Sequence, residues 1–473
     1  MESKDPLLFS LLICYNCAMK WIVGACILLF IFVWLAFYPP TFAIVDEAIY
    51  FGMSFVLRSG HLFPSPTEVA DIYPRVQGRL VSLFPLGNSA VLVPFTFLGW
   101  RGTFLFPLLA HLLSTWLFMK LLKRQGLPLW GALLLLFYPV NVLYSRTLMS
   151  DLPSQTLFLG ALLLYQPKPK GLFFSGFCFG LLALFRVANL FLFLPYLLWA
   201  FLRSFRQRPF GPEVLLLMAG FLPPFLGLLT LNQVSVGHPF GFAYFYAFPS
   251  LSLLALKTLP SNVLACLLFL LVLYPFMLLA PLWARRTRQP VSLLAMAGFI
   301  LFVSISSYPY RHRSLDPLAY LLTQLRFVLP IIPLFLLSYV DFLENLFQRW
   351  NFRLKILALI FMIVGLGIGN VLLLDRHQKF LLPQETKRRM IYQNTTAGST
   401  LVYDRSFVKL IQSAWGKRTF MVVPPGGLAR IVREAPQGKP LFYLQDARQP
   451  VPDDSLKPAV ILTTPELRLL RIR

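Results

Sequence analysis

The chain has 473 residues, 57% of them hydrophobic and only 13% charged, with a mean hydropathy of +0.68. Soluble domains carry about twice that charged fraction, so the composition excludes a soluble globular protein and indicates a polytopic helical membrane protein. A net charge of +24 would point to nucleic acid in a soluble protein, but here Lys and Arg gather in short gaps between apolar runs, the pattern of cytoplasmic loops, and no nucleic-acid partner is expected.

Residues 6–19 read as an interfacial helix ahead of the first span. No cleavable signal peptide is evident, because 21–38 is followed by Pro39-Pro40 rather than a small-residue cleavage site. Apolar runs mark about eleven spans: 21–38, 102–121, 128–144, 152–165, 171–185, 187–202, 213–233, 261–282, 291–307, 327–344 and 355–374. The gaps after the second, fourth, sixth, eighth and tenth carry Lys120, Lys123 and Arg124, then Lys168 and Lys170, then Arg203, Arg206 and Arg208, then Arg285, Arg286 and Arg288, then Arg349, Arg353 and Lys355. The positive-inside rule places them in the cytoplasm, with the N-terminus, and leaves the C-terminal region outside. Residues 171–202 would place two basic gaps on opposite sides if they formed one helix, so two helices with a turn near Arg186 are expected.

Three features then lie externally. The first loop, 39–101, holds Asp46-Glu47, Arg75 and Arg79, and ends in an apolar piece, 90–98, too short to span and read as interfacial. The second is a Tyr- and Arg-rich loop, 306–326. The third, 376–473, carries 17 Lys/Arg against 7 Asp/Glu and alternates short apolar strands (400–403, 419–423, 440–444, 459–463) with helix-like 406–415 and 427–434. It reads as a small extracytoplasmic α/β domain appended to a membrane domain, 1–375. Its basic surface would favour anionic headgroups or phosphate-bearing substrates, or serve solubility alone.

Asp46-Glu47 sit where the chain leaves the first span, at a depth where charge is costly unless paired, wetted or used. The plain alternative is a loop start, or an Asp capping a helix that begins near Glu47. Asp151, in the turn Ser145-Arg146-Thr147-Leu148-Met149-Ser150-Asp151-Leu152-Pro153, falls on the same side and is also a candidate helix cap. The basic residues there are Arg58, Arg75, Arg79, Arg146, Arg186, Arg311, Arg313 and Arg326. Arg186 and Arg326 lie in otherwise apolar stretches, where an Arg normally needs an anion. Structural ion pairs with the three acids and a bound phosphate are both open. The excess of positive charge suits a phosphorylated ligand whose apolar part stays in the bilayer, such as a polyprenyl phosphate carrying a sugar. A carboxylate would then deprotonate the acceptor hydroxyl as it attacks the anomeric carbon, and arginines would stabilise the departing lipid phosphate.

Other motifs add little. No G-x-x-x-x-G-K-[ST] and no G-x-G-x-x-G on a strand–helix turn is present, so ATP-driven transport has no support. The five histidines are scattered without metal-ligand spacing, and His111, inside a span, is read as packed with a local hydrogen bond. Gly365-Leu366-Gly367-Ile368-Gly369 suits close helix packing. The five cysteines lie in or beside apolar segments and imply no disulfide framework.

A first span followed by Asp46-Glu47-Ala48-x-Tyr50 resembles the first external loop of GT-C superfamily membrane glycosyltransferases, near the protein O-mannosyltransferase and lipid A aminoarabinose transferase groups. The resemblance extends to Phe84-Pro85-Leu86-Gly87, Ser145-Arg146-x-x-x-Ser150-Asp151-x-Pro153, Leu184-Phe185-Arg186 and Arg326-Phe327-x-Leu329-Pro330-x-x-Pro333, and covers most of 20–345. It implies an external active site, a polyprenyl-phosphate-sugar donor, Asp46 as the base or its close partner, and Glu47 and Asp151 shaping the site. Arg326 and a first-loop residue, Arg79 before Arg75, would hold the phosphate, with Arg186 beside them.

The expectation is an inverting glycosyltransferase of a bacterial inner membrane, acting on a lipid, glycan or protein acceptor, with no cofactor required and a divalent metal left open. A lipid-linked sugar flippase or a surface-polysaccharide polymerase or ligase is the alternative.

Overall fold

The computed structural model describes residues 6–64, 73–206, 212–243, 259–274, 276–287, 289–306, 325–348, 350–403, 407, 418–423, 428–449, 458–465 and 467–472. The expected loop at 306–326, with Arg311 and Arg313, and the helix-like stretch 406–415 fall almost wholly outside them.

Helix α1 (Pro6–Ala36) is one continuous 31-residue rod. The separate interfacial helix expected over 6–19 is instead its first half, because Tyr15-Asn16 lowers helix propensity only slightly and nothing there breaks a helix. The chain turns at Tyr38-Pro39-Pro40, and α2 (Val45–Arg58) follows. Strands β1 (Arg75–Val76) and β2 (Arg79–Leu80) form an antiparallel hairpin. Gln77 and Gly78 at its turn both have positive φ, 51° and 77°, as a two-residue turn matched to strand twist requires. Next come α3 (Gly87–Thr96), α4 (Gly99–Gly102) and α5 (Leu105–Arg124).

The expected span 128–144 is broken into α6 (Gly131–Leu136) and α7 (Pro139–Tyr144), each about 9 Å long. Pro139 cannot donate a helical hydrogen bond and forces Tyr138 into an extended conformation. Irregular backbone at such a depth survives only where protein satisfies it. Here Tyr274 donates to the Leu134 carbonyl (2.9 Å) and Asn370 to that of Phe137 (2.7 Å), while His111 Nε2 lies 3.0 Å from that of Leu136. His111 therefore serves the break, with Phe30 edge-on at 5.1 Å.

Helices α8 (Asp151–Leu164), α9 (Pro169–Phe185) and α10 (Leu190–Arg206) follow, with a short 3-10 turn, Val187–Asn189, between the last two. The run 171–202 is thus two helices that break at Arg186, as the charge argument expected. Helix α11 (Glu213–Val236) lies unusually close to α9: a Cβ on Gly220 would stand 1.9 Å from the Phe173 carbonyl oxygen. Gly365, Gly367 and Gly369 do not play that part, since a Cβ on any of them meets nothing within 4 Å. After α12 (Leu259–Leu273), α13 (Ala280–Trp283) and α14 (Pro290–Ser306) comes a 3-10 segment, Arg326–Ile331, that leads into α15 (Ile332–Phe347). Helix α16 (Phe352–Gln393) spans about 63 Å and runs through the expected domain boundary at 375–376 without interruption. Among the described residues, six segments are long and apolar enough to cross a membrane and four shorter apolar helices join them. Nine of the eleven expected spans coincide with these; 128–144 is broken into α6 and α7, and 261–282 into α12 and α13.

The turns that carry the basic gaps meet at one end of the bundle. Arg286 donates to the Gly126 carbonyl (2.8 Å) and Arg124 to that of Leu163 (2.9 Å). Beyond α16, strands β3 (Thr400–Tyr403), β4 (Thr419–Val422), β5 (Leu441–Gln445), β6 (Ala459–Thr463) and β7 (Arg468–Arg471) form a mixed sheet of order β4-β3-β5-β7-β6. Four of these match the expected strands and β7 is additional. Leu401, Tyr403, Phe442 and Leu444 face the main core, while Val402, Leu441 and Tyr443 face helix α17 (Leu428–Glu434), so β3 and β5 are buried on both faces, whereas the edge strand β6 is largely exposed.

Candidate active site

Glu47 is the third residue of α2 and fully buried. One carboxylate oxygen accepts the N–H groups of Ala43 (2.8 Å) and Ile44 (3.1 Å), the free donors ahead of the helix. The other oxygen accepts Leu148 N–H at 3.0 Å, more than a hundred residues along the chain. Leu148 is held from its other side as well, by Asn88 donating to its carbonyl (2.9 Å). Tyr50 donates to Ser150 Oγ (3.2 Å), and Trp34 Nε1 to the Ser145 carbonyl (3.2 Å). These bonds pin the turn 145–150 against α1, α2 and α3, and so fix where α8 begins. Burial pushes the Glu47 carboxyl up to about 7; the three backbone N–H bonds pull against that, and the neighbouring Asp46 charge adds to it.

Asp151 is the first residue of α8, and Ser150, not Asp151, occupies the capping position. Its carboxylate, almost fully buried, pairs instead with the Arg186 guanidinium. Arg186 reaches it because α9 ends at Phe185 and Arg186 itself is extended (φ −160°, ψ 122°). The break is stapled by Asn189, which donates to Ser154 Oγ (2.9 Å) and the Leu182 carbonyl (3.1 Å). Gly87 opens α3 against the same break, where a Cβ would lie 2.5 Å from the Leu184 carbonyl oxygen. That contact gives a physical reason for glycine in the Phe84-Pro85-Leu86-Gly87 stretch.

Arg326 opens the 3-10 segment before α15 and forms an ion pair with Asp46, Nη2 to Oδ2 at 3.6 Å. Gln155 of α8 donates to the Leu329 carbonyl (2.7 Å) and accepts from Asn141 (2.8 Å), which ties that segment to α8. The Arg186 and Arg326 guanidiniums both stand over the Phe327 ring, 4.5 and 4.7 Å from its centre. One aromatic side chain thus links the two ion pairs, Asp46–Arg326 and Asp151–Arg186. Burial raises the Asp46 pKa above its ordinary value, Arg326 opposes the rise, Asp151 adds to it and Arg186 lowers it, so all four charges act on one another. The second oxygen of Asp151 and Nε of Arg326 are buried without a hydrogen-bond partner among the described residues. Polar atoms left open inside a protein call for an explanation, and a ligand is one.

The structure therefore brings Asp46, Asp151, Arg186 and Arg326 together, with Glu47 directly behind. Arg75 and Arg79 stand apart from them: both are exposed on the hairpin, neither forms an ion pair among the described residues, and Arg79 lies over Phe63 (5.6 Å). The hairpin is tethered to α2 by Tyr73, which donates to the Ile49 carbonyl (3.1 Å). Two further residues have contacts that the sequence did not reveal. Phe327 looks like one more apolar residue of a span. Arg146, 1% exposed, bonds His377 Nδ1 (2.8 Å) and the Gln378 side chain of α16, partners over 230 residues distant.

No family model matches the chain, and no curated protein matches it by sequence. Solved structures do match by fold. The crystal structure of ArnT from Cupriavidus metallidurans in the apo state superposes with a TM-score of 0.61 at 14% identity, covering 97% of this chain and 99% of that one. The crystal structure of the same protein bound to undecaprenyl phosphate gives 0.60 at 14% identity, covering 96% and 98%. ArnT, a lipid A aminoarabinose transferase, has the GT-C architecture, and a likeness over nearly all of both chains gives this chain that membrane fold.

Proposed function

We propose that the protein is an inverting glycosyltransferase that moves a sugar from a polyprenyl-phosphate carrier to an acceptor at the external face of a bacterial inner membrane. The observation that carries this reading is the pair of ion pairs, Asp46–Arg326 and Asp151–Arg186, joined over Phe327 at the bundle end opposite the basic turns. The binding of undecaprenyl phosphate by ArnT, a protein of the same fold, supports the donor class.

In this reading Asp46 takes the proton of the acceptor hydroxyl as its oxygen attacks the anomeric carbon. The bond from that carbon to the phosphate oxygen breaks, and the carrier phosphate departs with the electron pair. The side chain of Asp46 is 31% exposed, so an acceptor can reach it. Arg326 and Arg186 meet the charge that develops on the phosphate, and Nε of Arg326 is a buried donor with no partner among the described residues. Asp151 holds Arg186 in place, and Glu47 fixes the frame by binding backbone rather than substrate. Arg79, with Arg75 beside it, is the external reserve of positive charge for the lipid phosphate. The cytoplasmic position of the basic turns and the external position of the 376–473 region follow from the positive-inside rule.

The test is an assay of the purified chain with a polyprenyl-phosphate sugar, following release of polyprenyl phosphate together with a glycosylated product. Asp46→Asn is expected to abolish both without changing Tm. Undiminished transfer by a folded Asp46→Asn variant removes Asp46 from the mechanism. Movement of the donor across vesicles with no product would favour a flippase instead.

A further inference from the structure

A cavity of about 330 Å³ lies at the other end of the bundle, among the basic turns and away from the acid–arginine pairs. That volume falls in the range of small-ligand sites, about 300–1,000 Å³. Arg124 of α5 and Arg203 of α10 line it, with Glu213 as the acid among its lining residues. The first turns of α11, at Glu213, and of α14, at Pro290–Ser292, also form its wall. Helix N-termini carry free N–H groups and partial positive charge, so both favour an anion there. Tyr196 supplies a further hydroxyl: it is 3% exposed, lines the cavity and interacts with the Ser292 side chain beside it. Arg203 makes no ion pair among the described residues, whereas Arg124 spends one N–H on the Leu163 carbonyl.

We infer that this cavity is an anion site for a phosphate group, separate from the proposed transfer site. Arg124 and Arg203 supply the charge, the Tyr196 hydroxyl and the first turn of α14 supply neutral donors, and Glu213 disfavours more than one bound phosphate. A basic pocket between helices at a membrane surface suits the phosphate of an anionic lipid headgroup, and the same chemistry accepts a small soluble phosphate.

The experiment uses the intact chain in two arms. In one, it is reconstituted in phosphatidylcholine nanodiscs with or without phosphatidylglycerol, and retained lipid is counted by native mass spectrometry after mild extraction. In the other, inorganic phosphate is titrated against chloride at equal ionic strength while Tm is followed. The expected result is selective retention of phosphatidylglycerol, a phosphate-dependent rise in Tm, or both; the first alone assigns the site to a lipid headgroup and the second to a free phosphate. Arg203→Gln, which breaks no hydrogen bond among the described residues, should weaken the response about fivefold, and Tyr196→Phe should weaken it further with the fold intact. Neither ligand exceeding its control, or a full response in folded Arg203→Gln and Tyr196→Phe, overturns the inference.

Discussion

Two buried carboxylates at opposite ends of the bundle show how the same side chain serves different ends. Asp341, in α15 among the basic turns, is saturated: one oxygen accepts the N–H groups of Arg286 (2.6 Å) and Thr287 (3.1 Å), and the other accepts from Asn345 (3.1 Å). Asp151, at the opposite end, binds Arg186 through one oxygen and leaves the other unbonded among the described residues. A saturated acid holds turns together and has no capacity left for a substrate. An acid paired with a single cation, and open on its other side, keeps a charge balance that a phosphate can rearrange. Glu47 behaves like Asp341, although its immediate neighbour Asp46 belongs with Asp151.

Substitutions at the two ends should separate these roles. After the abolition expected of Asp46→Asn, the largest effect is expected at Arg326. Arg326→Gln removes both the partner of Asp46 and a donor to the phosphate, and should lower kcat by about 10²–10³ with little change in Tm, as loss of one preorganised donor does elsewhere. Glu47→Ala and Asp341→Ala should instead act on stability. Each strands buried backbone N–H groups, at about 1–3 kcal/mol apiece, so calorimetry in detergent should show a clear drop in Tm for both. Asp341→Ala should leave transfer per folded molecule unchanged; a loss of turnover there without loss of stability would break the contrast between the ends.

The pH profile gives a smaller but sharper test. Asp46 must be ionised to accept a proton, and its pKa is raised by burial and held down by Arg326. Transfer should therefore fall as pH drops through a value above the ordinary Asp range, and Arg326→Gln should move that acid limb to still higher pH. An acid limb that stays put in Arg326→Gln would show that the two groups do not interact during turnover. The smallest effect is expected from Arg79→Gln, a rise in KM of severalfold, about 0.5–1 kcal/mol for an exposed charge, with kcat retained.

Much of this could be read from the chain, and the exceptions have physical causes. Charge arithmetic located the break at Arg186, because basic gaps constrain topology whatever the apolar residues between them do. The break at Pro139 stayed hidden, since the carbonyls it frees are capped by His111, Tyr274 and Asn370 from three other segments. Strand β7 reads Arg-Leu-Leu-Arg, four residues without the alternation that marks a strand. The glycines of 365–369 misled, because their spacing is shared by packed and lipid-facing helices alike. Within the site, Asp46, Asp151, Arg186 and Arg326 were visible as costly charges beside apolar runs. The duty of Glu47 was not, because its partners are backbone N–H groups that every residue carries. The bond from Arg146 to His377 joins positions that no local pattern connects.

The central claim is that the acid–arginine end receives the carrier phosphate. A cryo-EM structure of the intact chain with bound polyprenyl phosphate tests it most directly. The expected result is a phosphate contacted by Arg326 and Arg186 beside the Phe327 ring, within reach of Asp46. A phosphate bound only among Arg124 and Arg203 at the opposite end, with both ion pairs undisturbed, would contradict it.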